Sequence, residues 1–96
     1  MLVLAAAANC QEAIELLLAR GADVNAPDED GTTALMHAAG LGFAPLVQLL
    51  LDRGADLERT NKEKQSAWLI AAMSGQREVV DIFKAYREVH PSPPPR

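Results

Sequence analysis

The chain has 96 residues, of which 49% are hydrophobic and 4% aromatic, and its formal net charge is −4. This length supports one small domain, and the dominance of Ala and Leu favours packed helices over a β-sandwich of branched and aromatic residues. The negative charge and the lack of a basic cluster exclude the phosphate attraction on which nucleic-acid binding depends, and no apolar run reaches the roughly 20 residues of a membrane span.

A repeat with a period of 33 residues organises the chain. The triplet Gly21-Ala22-Asp23 recurs as Gly54-Ala55-Asp56, and the same offset aligns many apolar positions. Such a period is typical of solenoids, in which each unit buries its apolar face against the next. We predict three units and a Pro-rich tail, at residues 1–33, 34–66, 67–89 and 90–96.

The first unit begins inside a helix and lacks the turn that precedes the helices of the later units. A terminal unit of a solenoid needs a polar outer face, and this unit lacks one. Its apolar side chains, including Leu2 and Leu16, are therefore left uncovered. We expect this N-terminal end to be covered by missing upstream repeats or by self-association.

Short polar segments at residues 22–31 and 55–64 join the units. Turn formers such as Pro27-Asp28 make them too irregular for a helix, so each is predicted to be an extended, hairpin-like finger. Lys64 of the second finger occupies the position of Gly31 in the first. If both adopt the left-handed backbone that glycine favours, the lysine costs about 1 kcal/mol of stability.

The middle unit shows the helix signals most clearly. Thr33 is a good N-cap for a helix over residues 34–41, and Gly42 suits the left-handed position that ends it. Pro45 fits the first turn of a second helix, which carries an apolar stripe and stops at Gly54. Neither helix is long enough to be stable alone in water, so each antiparallel pair must stack on its neighbours.

The last unit is unusually charged. Lys84 replaces the apolar Leu51 of the middle unit, which is typical of a terminal cap, and the array is predicted to end here. Trp68, in the place of Leu35, is predicted to lie in the core. The tail at residues 90–96 is predicted to adopt an extended polyproline II conformation. Three roles are open for it: a linker, a ligand for an aromatic-lined domain, or a segment phosphorylated at Ser92.

The middle unit also carries a family motif. The segment Thr33-Ala34-Leu35-Met36-His37-Ala38-Ala39, followed by Gly42, Leu49-Leu50-Leu51 and Gly54-Ala55-Asp56-Leu57, resembles the ankyrin repeat. The resemblance implies an all-α fold, an ankyrin-repeat solenoid of stacked helix pairs with short β-hairpin fingers. Ala34 and Met36 stand where the family has Pro and His, so the hydrogen bonds of that histidine within and between units are expected to be absent.

Ankyrin-repeat proteins typically bind other proteins through the fingertips and the concave face formed by the first helix of each unit. The resemblance therefore implies a noncatalytic module for a partner protein or peptide, without a cofactor or a metal. Composition adds that neither nucleic acid nor a membrane is an expected partner. The predicted partner-binding residues are Pro27, Glu29, Asp30, Thr32, His37, Gly40, Leu41, Thr60, Lys62, Glu63, Gln65, Ile70, Met73 and Ser74. The alternative is a structural or targeting segment of a larger enzyme or receptor, with no partner of its own.

Several residues admit both a structural and a functional interpretation. The acidic tip Asp28-Glu29-Asp30 is either a solvated turn or a surface that steers a basic partner segment, while the ligand spacing of a calcium loop is missing. Leu4, His37 and Ile70 align in a row that either packs between units or faces the concave side.

Cys10 and His37 lie in different units, which argues against a thiol nucleophile. A lone cysteine cannot form an internal disulfide, which favours an intracellular location, cytoplasmic or nuclear.

Overall fold

The computed structural model describes the backbone of residues 2–89 and the side chains of residues 5–89. Six helices span the described residues: α1 Leu2–Ala7, α2 Gln11–Ala19, α3 Ala34–Leu41, α4 Ala44–Asp52, α5 Ala67–Met73 and α6 Arg77–Val89. They form three pairs, and the first helices stack in order, α1 on α3 and α3 on α5. The predicted all-α solenoid of stacked helix pairs is confirmed. The predictions for the tail and for the side chains of Leu2 and Leu4 lie outside the described residues.

The ends of α3 form as their residues predict. The Thr33 hydroxyl accepts a hydrogen bond from the Met36 N–H at 3.4 Å, and Gly42 ends the helix with a left-handed φ of 77°. The Thr33 N–H donates in turn to the Met36 sulfur at 3.5 Å. A thioether is itself a weak acceptor, so Met36 contacts the Thr33 N–H although the histidine that the family has at this position is missing.

The second helix of each pair supplies most of the large core side chains. The largest buried residues are Phe83, Ile14, Leu35, Met36, Leu46, Leu50, Val47 and Val79. Burying each such side chain contributes about 1.5–3 kcal/mol, so stacking between pairs supplies the stability that a single short pair lacks. Ala38 and Ala39 are fully buried on α3, and their small size lets the first helices pack closely. Leu16, predicted to lie on an uncovered end, is 53% exposed; what covers it stays a prediction.

A side chain joins the loops that follow the first two helix pairs. The Asn25 Oδ1 accepts a hydrogen bond from the Asp56 N–H at 2.6 Å, and the Asn25 Nδ2 donates to the Gly54 carbonyl at 3.5 Å. These bonds satisfy backbone polar groups that follow the second helix pair from within the first unit. The loops are thus held at the spacing that the stacked helices set.

The last helix is longer than its counterparts because of Arg87. Helices α2 and α4 have 9 residues each and are followed by left-handed Gly21 and Gly54, whereas α6 has 13 residues. Arg87 stands at the position of Gly54 and continues the helix. Its guanidinium lies 5.0 Å from the centroid of the Trp68 ring and forms an ion pair with Glu58. Trp68 is partly buried and packs against the core as predicted, beneath this arginine.

Candidate functional site

The first finger is a tight turn built around Asp28. The Asp28 Oδ1 accepts hydrogen bonds from the N–H groups of Asp30 and Thr32, both at 2.9 Å. The Asp28 N–H donates to the Thr32 carbonyl at 2.9 Å, and Gly31 adopts a left-handed φ of 76°. One side chain therefore satisfies two backbone donors that the turn cannot pair by itself.

The second finger repeats this turn around Asn61. The Asn61 Oδ1 accepts hydrogen bonds from the N–H groups of Glu63 and Gln65, at 2.9 and 3.0 Å. The Asn61 N–H donates to the Gln65 carbonyl at 3.1 Å, and Lys64 has a φ of 63°. The left-handed lysine predicted from its alignment with Gly31 is confirmed.

The fingers are turns rather than extended ladders. Within residues 2–89 no strand is present, and the one isolated β-bridge joins Thr60 to Ser66. The physical reason is length, because the helix caps Thr33 and Ser66 follow each turn at once and leave too few residues to pair. The predicted hairpin-like shape is therefore reduced to a closed turn in each finger.

The two fingers lie directly against each other. The Lys62 N–H donates a hydrogen bond to the Asp30 carbonyl at 3.0 Å. A Cβ placed on Gly31 would lie 3.2 Å from both the Asn61 Cα and the Lys62 nitrogen. Glycine is thus needed at this position for the close approach of the second finger as well as for its backbone angle. These contacts fix the spacing between the fingertips.

The charged form of Asp28 is stabilised by its surroundings. The hydrogen bond from the Thr32 N–H is the largest influence and lowers the pKa of Asp28, which partial desolvation opposes. The Asp30 N–H and the nearby His37 lower this pKa further. The His37 Nε2 lies 3.5 Å from the Asp28 Oδ2. His37, a predicted site residue on α3, therefore connects that helix to the first finger.

The two fingertips carry charges of opposite sign. Glu29 and Asp30 are exposed on the first finger, and Lys62 and Lys64 are exposed on the second, with Glu63 between them. Because the fingers are in contact, the acidic and basic side chains belong to one continuous surface. A prediction based on the acidic tip alone misses this second charge.

The predicted positions on the helices differ in accessibility. Gly40, Ile70 and Ser74 lie where α3 meets α5, since a Cβ on Gly40 would lie 3.0 Å from the Ile70 Cγ2 and 4.0 Å from the Ser74 Oγ. Gly40 permits this close packing, and Ile70 is partly buried by it. Leu41 and Met73, by contrast, are 49% and 58% exposed. These two residues expose large apolar side chains to solvent.

The remaining predicted positions lie on the fingers. Pro27 and Thr60 are exposed and precede the two anchoring residues, whereas Thr32 and Gln65 are partly buried behind the turns. The structure therefore brings the predicted residues together as two groups, the fingertips and the surface of α3 and α5. His37 is the contact between the groups.

Leu69 is an exposed apolar residue that the sequence prediction missed. It is 44% exposed, although its counterpart Met36 is fully buried. Leu69 lies four residues before Met73 on α5, so the two side chains share a face of the helix. The repeat alignment could have identified Leu69. Its counterpart Met36 is followed by another helix pair, whereas the described residues contain no helix pair after α6.

Metal-binding groups and membrane spans are absent from residues 2–89. No three His, Cys, Asp or Glu side chains in that range are grouped closely enough to hold a metal ion. No helix in the same range is both long and apolar enough to cross a membrane. Cys10 is exposed and directly precedes α2.

Comparison with known families agrees with the repeat geometry. Residues 2–91 match a family model described as Ankyrin repeats, in 3 copies. The three copies correspond to the three helix pairs, and the match extends over nearly the whole chain. A search of curated proteins gives no significant match.

Proposed function

The chain belongs to the ankyrin-repeat family, whose members are generally protein–protein interaction modules, and on this premise we propose that it is a noncatalytic module that binds a partner protein or peptide. The proposed surface consists of the fingertips, at residues 27–32 and 60–65, and of exposed positions on α3 and α5. We further propose a cytoplasmic or nuclear location, which the exposed lone thiol of Cys10 supports.

Exposed apolar side chains carry this proposal. Leu41 on α3 and Met73 on the neighbouring α5 are each about half exposed, whereas Leu35 and Met36 of α3 are fully buried. Large apolar groups that are accessible next to polar segments are typical of protein-binding surfaces. They supply the contact area that a partner would remove from water.

The fingers support the proposal through their rigidity. Asp28 and Asn61 hold the two turns from within, and the Asp30 carbonyl ties the first turn to the second. A turn that is already ordered loses less conformational freedom when a ligand binds, so more of the contact energy appears as affinity. Glu29 and Asp30 then favour a partner with a basic segment.

A pull-down with matched variants tests the proposal. The intact chain is crosslinked to partners in cell lysate, and bound proteins are quantified for the unchanged protein, for Leu41→Gln with Met73→Gln, and for Val89→Gln. Val89 is a suitable control because it is an apolar residue that is 73% exposed on α6, outside the proposed surface. Loss of two apolar contacts is expected to reduce partner recovery about tenfold or more.

The outcomes separate the two functions under consideration. Specific partners that are retained by Val89→Gln and lost by the double variant support the proposed surface. An empty partner list, or the same list for all three proteins, contradicts it. That result favours the alternative, in which the repeats are a structural or targeting segment of a larger enzyme or receptor.

A further inference from the structure

The outer side of the last helix pair differs from the corresponding side of the middle pair. The middle unit packs against the third unit through α3 and α4, and its apolar residues at the repeat positions in question are buried: Ala44, Val47, Leu51 and Ala55. Their counterparts in the third unit are Arg77, Val80, Lys84 and Glu88, of which only Val80 is partly buried. Among the described residues no helix pair follows α6, so these positions face solvent.

Four charged residues of α6 form one stripe on this side. Arg77, Asp81, Lys84 and Glu88 are exposed and are spaced by four, three and four residues. At 3.6 residues per turn they fall within about 60° of the helix circumference. Their signs alternate along the helix, yet no two of them form an ion pair with each other in the described part of the chain. The four charges are therefore available to another molecule.

The order of these charges makes the stripe complementary to a reversed copy of itself. Its spacing is the same when it is read from either end, whereas the sign at each position is opposite. An antiparallel α6 of a second copy therefore brings Glu88 to Arg77 and Lys84 to Asp81, and each contact occurs twice. A parallel copy would place like charges opposite each other, which is unfavourable.

We propose that this side of the third unit binds a second copy of the chain, in a twofold-symmetric dimer with the two α6 helices antiparallel. The surface, called the end face, consists of Leu69 and Met73 on α5 and of the four charged residues on α6. This self-association is separate from the binding of a different protein proposed above.

Helix α5 supplies the apolar part of the end face. Leu69 and Met73 are 44% and 58% exposed. A groove of about 460 Å³ lies between α5 and α6, and its lining includes Ala72 and Val80. Exposed ion pairs each contribute little affinity, so the apolar side chains provide contact energy while the charges determine the direction of the second copy.

The size of the end face predicts a weak, reversible dimer. Helix α6 has 13 residues and is about 20 Å long, and two helices side by side are about 20 Å wide. Each copy therefore contributes at most roughly 400 Å², or roughly 800 Å² in total, less than the 1,200–2,000 Å² of stable complexes. We expect a dissociation constant of about 10–100 µM.

Sedimentation equilibrium of the intact chain, whose monomer mass is 10.3 kDa, measures this association. The loading concentrations cover about 5–500 µM, which spans the expected dissociation constant. Ionic strength is kept low, because exposed charges then attract over the longest distance. The average mass is expected to rise from that of a monomer toward that of a dimer. A monomer at every concentration overturns the proposal.

Reversal of one charge identifies the surface. Asp81→Lys places like charges opposite Lys84 of the second copy twice in each dimer, and it is expected to weaken association at least tenfold. Glu78→Lys is the matched control, because it makes the same change of charge on α6 at an exposed position about 90° from the stripe. The control is expected to change the dissociation constant by less than about twofold. Equal weakening by both substitutions overturns the proposal.

A second reversal tests the antiparallel arrangement. Lys84→Asp alone is expected to weaken association as Asp81→Lys does. An equal mixture of the two single variants restores both pairs of opposite charges, as does the double variant, so each is expected to associate like the intact chain. Both positions are exposed, and a variant that failed to fold would not be rescued in the mixture. Absence of rescue in the mixture and in the double variant overturns the antiparallel pairing.

Discussion

The first and second fingers make the same hydrogen bonds with different side chains. Asp28 in one finger and Asn61 in the other accept two backbone N–H groups at nearly equal distances. The turn therefore needs a side-chain oxygen at this position and does not need its charge. The left-handed position is likewise filled by Gly31 in one finger and Lys64 in the other.

The difference between the fingers lies in what each residue contacts beyond its own turn. Gly31 lies against the backbone of the second finger, so a side chain there would meet atoms that cannot move aside. Asp28 lies beside His37, whereas the Asn61 Nδ2 donates to the Gln65 Oε1 at 3.2 Å. Both fingers thus require a left-handed backbone at the same position. They differ in which neighbouring residues contact the turn.

The largest expected effect comes from adding a side chain to the first finger. Gly31→Ala should lower the free energy of unfolding by about 2 kcal/mol, from its left-handed backbone and from the 3.2 Å approach to Asn61 and Lys62. Gly21→Ala is the matched control, because its φ is 91° and a Cβ there meets no atom within 4 Å. The control should lose about 1 kcal/mol. Equal losses in urea unfolding would show that contact between the fingers contributes nothing.

A smaller effect of opposite sign is expected in the second finger. Lys64→Gly should raise the free energy of unfolding by about 0.5–1 kcal/mol, because it removes the left-handed lysine. The corresponding rise in Tm is about 2–8 °C for a chain of this size. Lys62→Gly is the control, since Lys62 is not among the described residues with positive φ. A gain from both substitutions, or from neither, argues against strain at Lys64.

The smallest expected effect is a change in pH dependence. The folded pKa of Asp28 is lowered below its unfolded value of about 4, so its contribution to stability is present above that value and is lost as pH falls through the folded pKa. Asp28→Asn copies the neutral anchor of the second finger. It should reduce the acid-induced loss of stability, measured as the difference between variant and unchanged protein in urea unfolding at pH 3 to 6. If the free energy of unfolding depends on pH in the same way in both proteins, the charge of Asp28 does not contribute to stability.

Much of the fold follows from residues whose influence is local. Thr33, Gly42 and Pro45 determine helix ends through caps and permitted backbone angles. Asn9, one repeat before Gly42, adopts the same left-handed conformation with a φ of 54°. Lys64 was predictable for the same reason, through its alignment with glycine. Such preferences depend on a few neighbouring residues, which the sequence shows directly.

Features that depend on distant residues were not predictable in this way. The contact of Arg87 with Trp68 and Glu58 requires three segments to meet. The partner-binding residues stay a prediction, since the repeat pattern determines where they lie and leaves the ligand undetermined.

The close packing at Gly40 has a consequence for engineering longer arrays. The third unit can stack on α3 because Gly40 leaves room for Ile70. A Cβ added to Gly40 would lie 3.0 Å from the Ile70 Cγ2. Met73 stands at the same repeat position on α5, and Lys84 stands where α4 has Leu51. A duplicated unit fused after α6 would therefore meet a bulky side chain and a charge at its interface. Changing Met73 to Gly and Lys84 to Leu together would convert that surface into one that can accept another repeat.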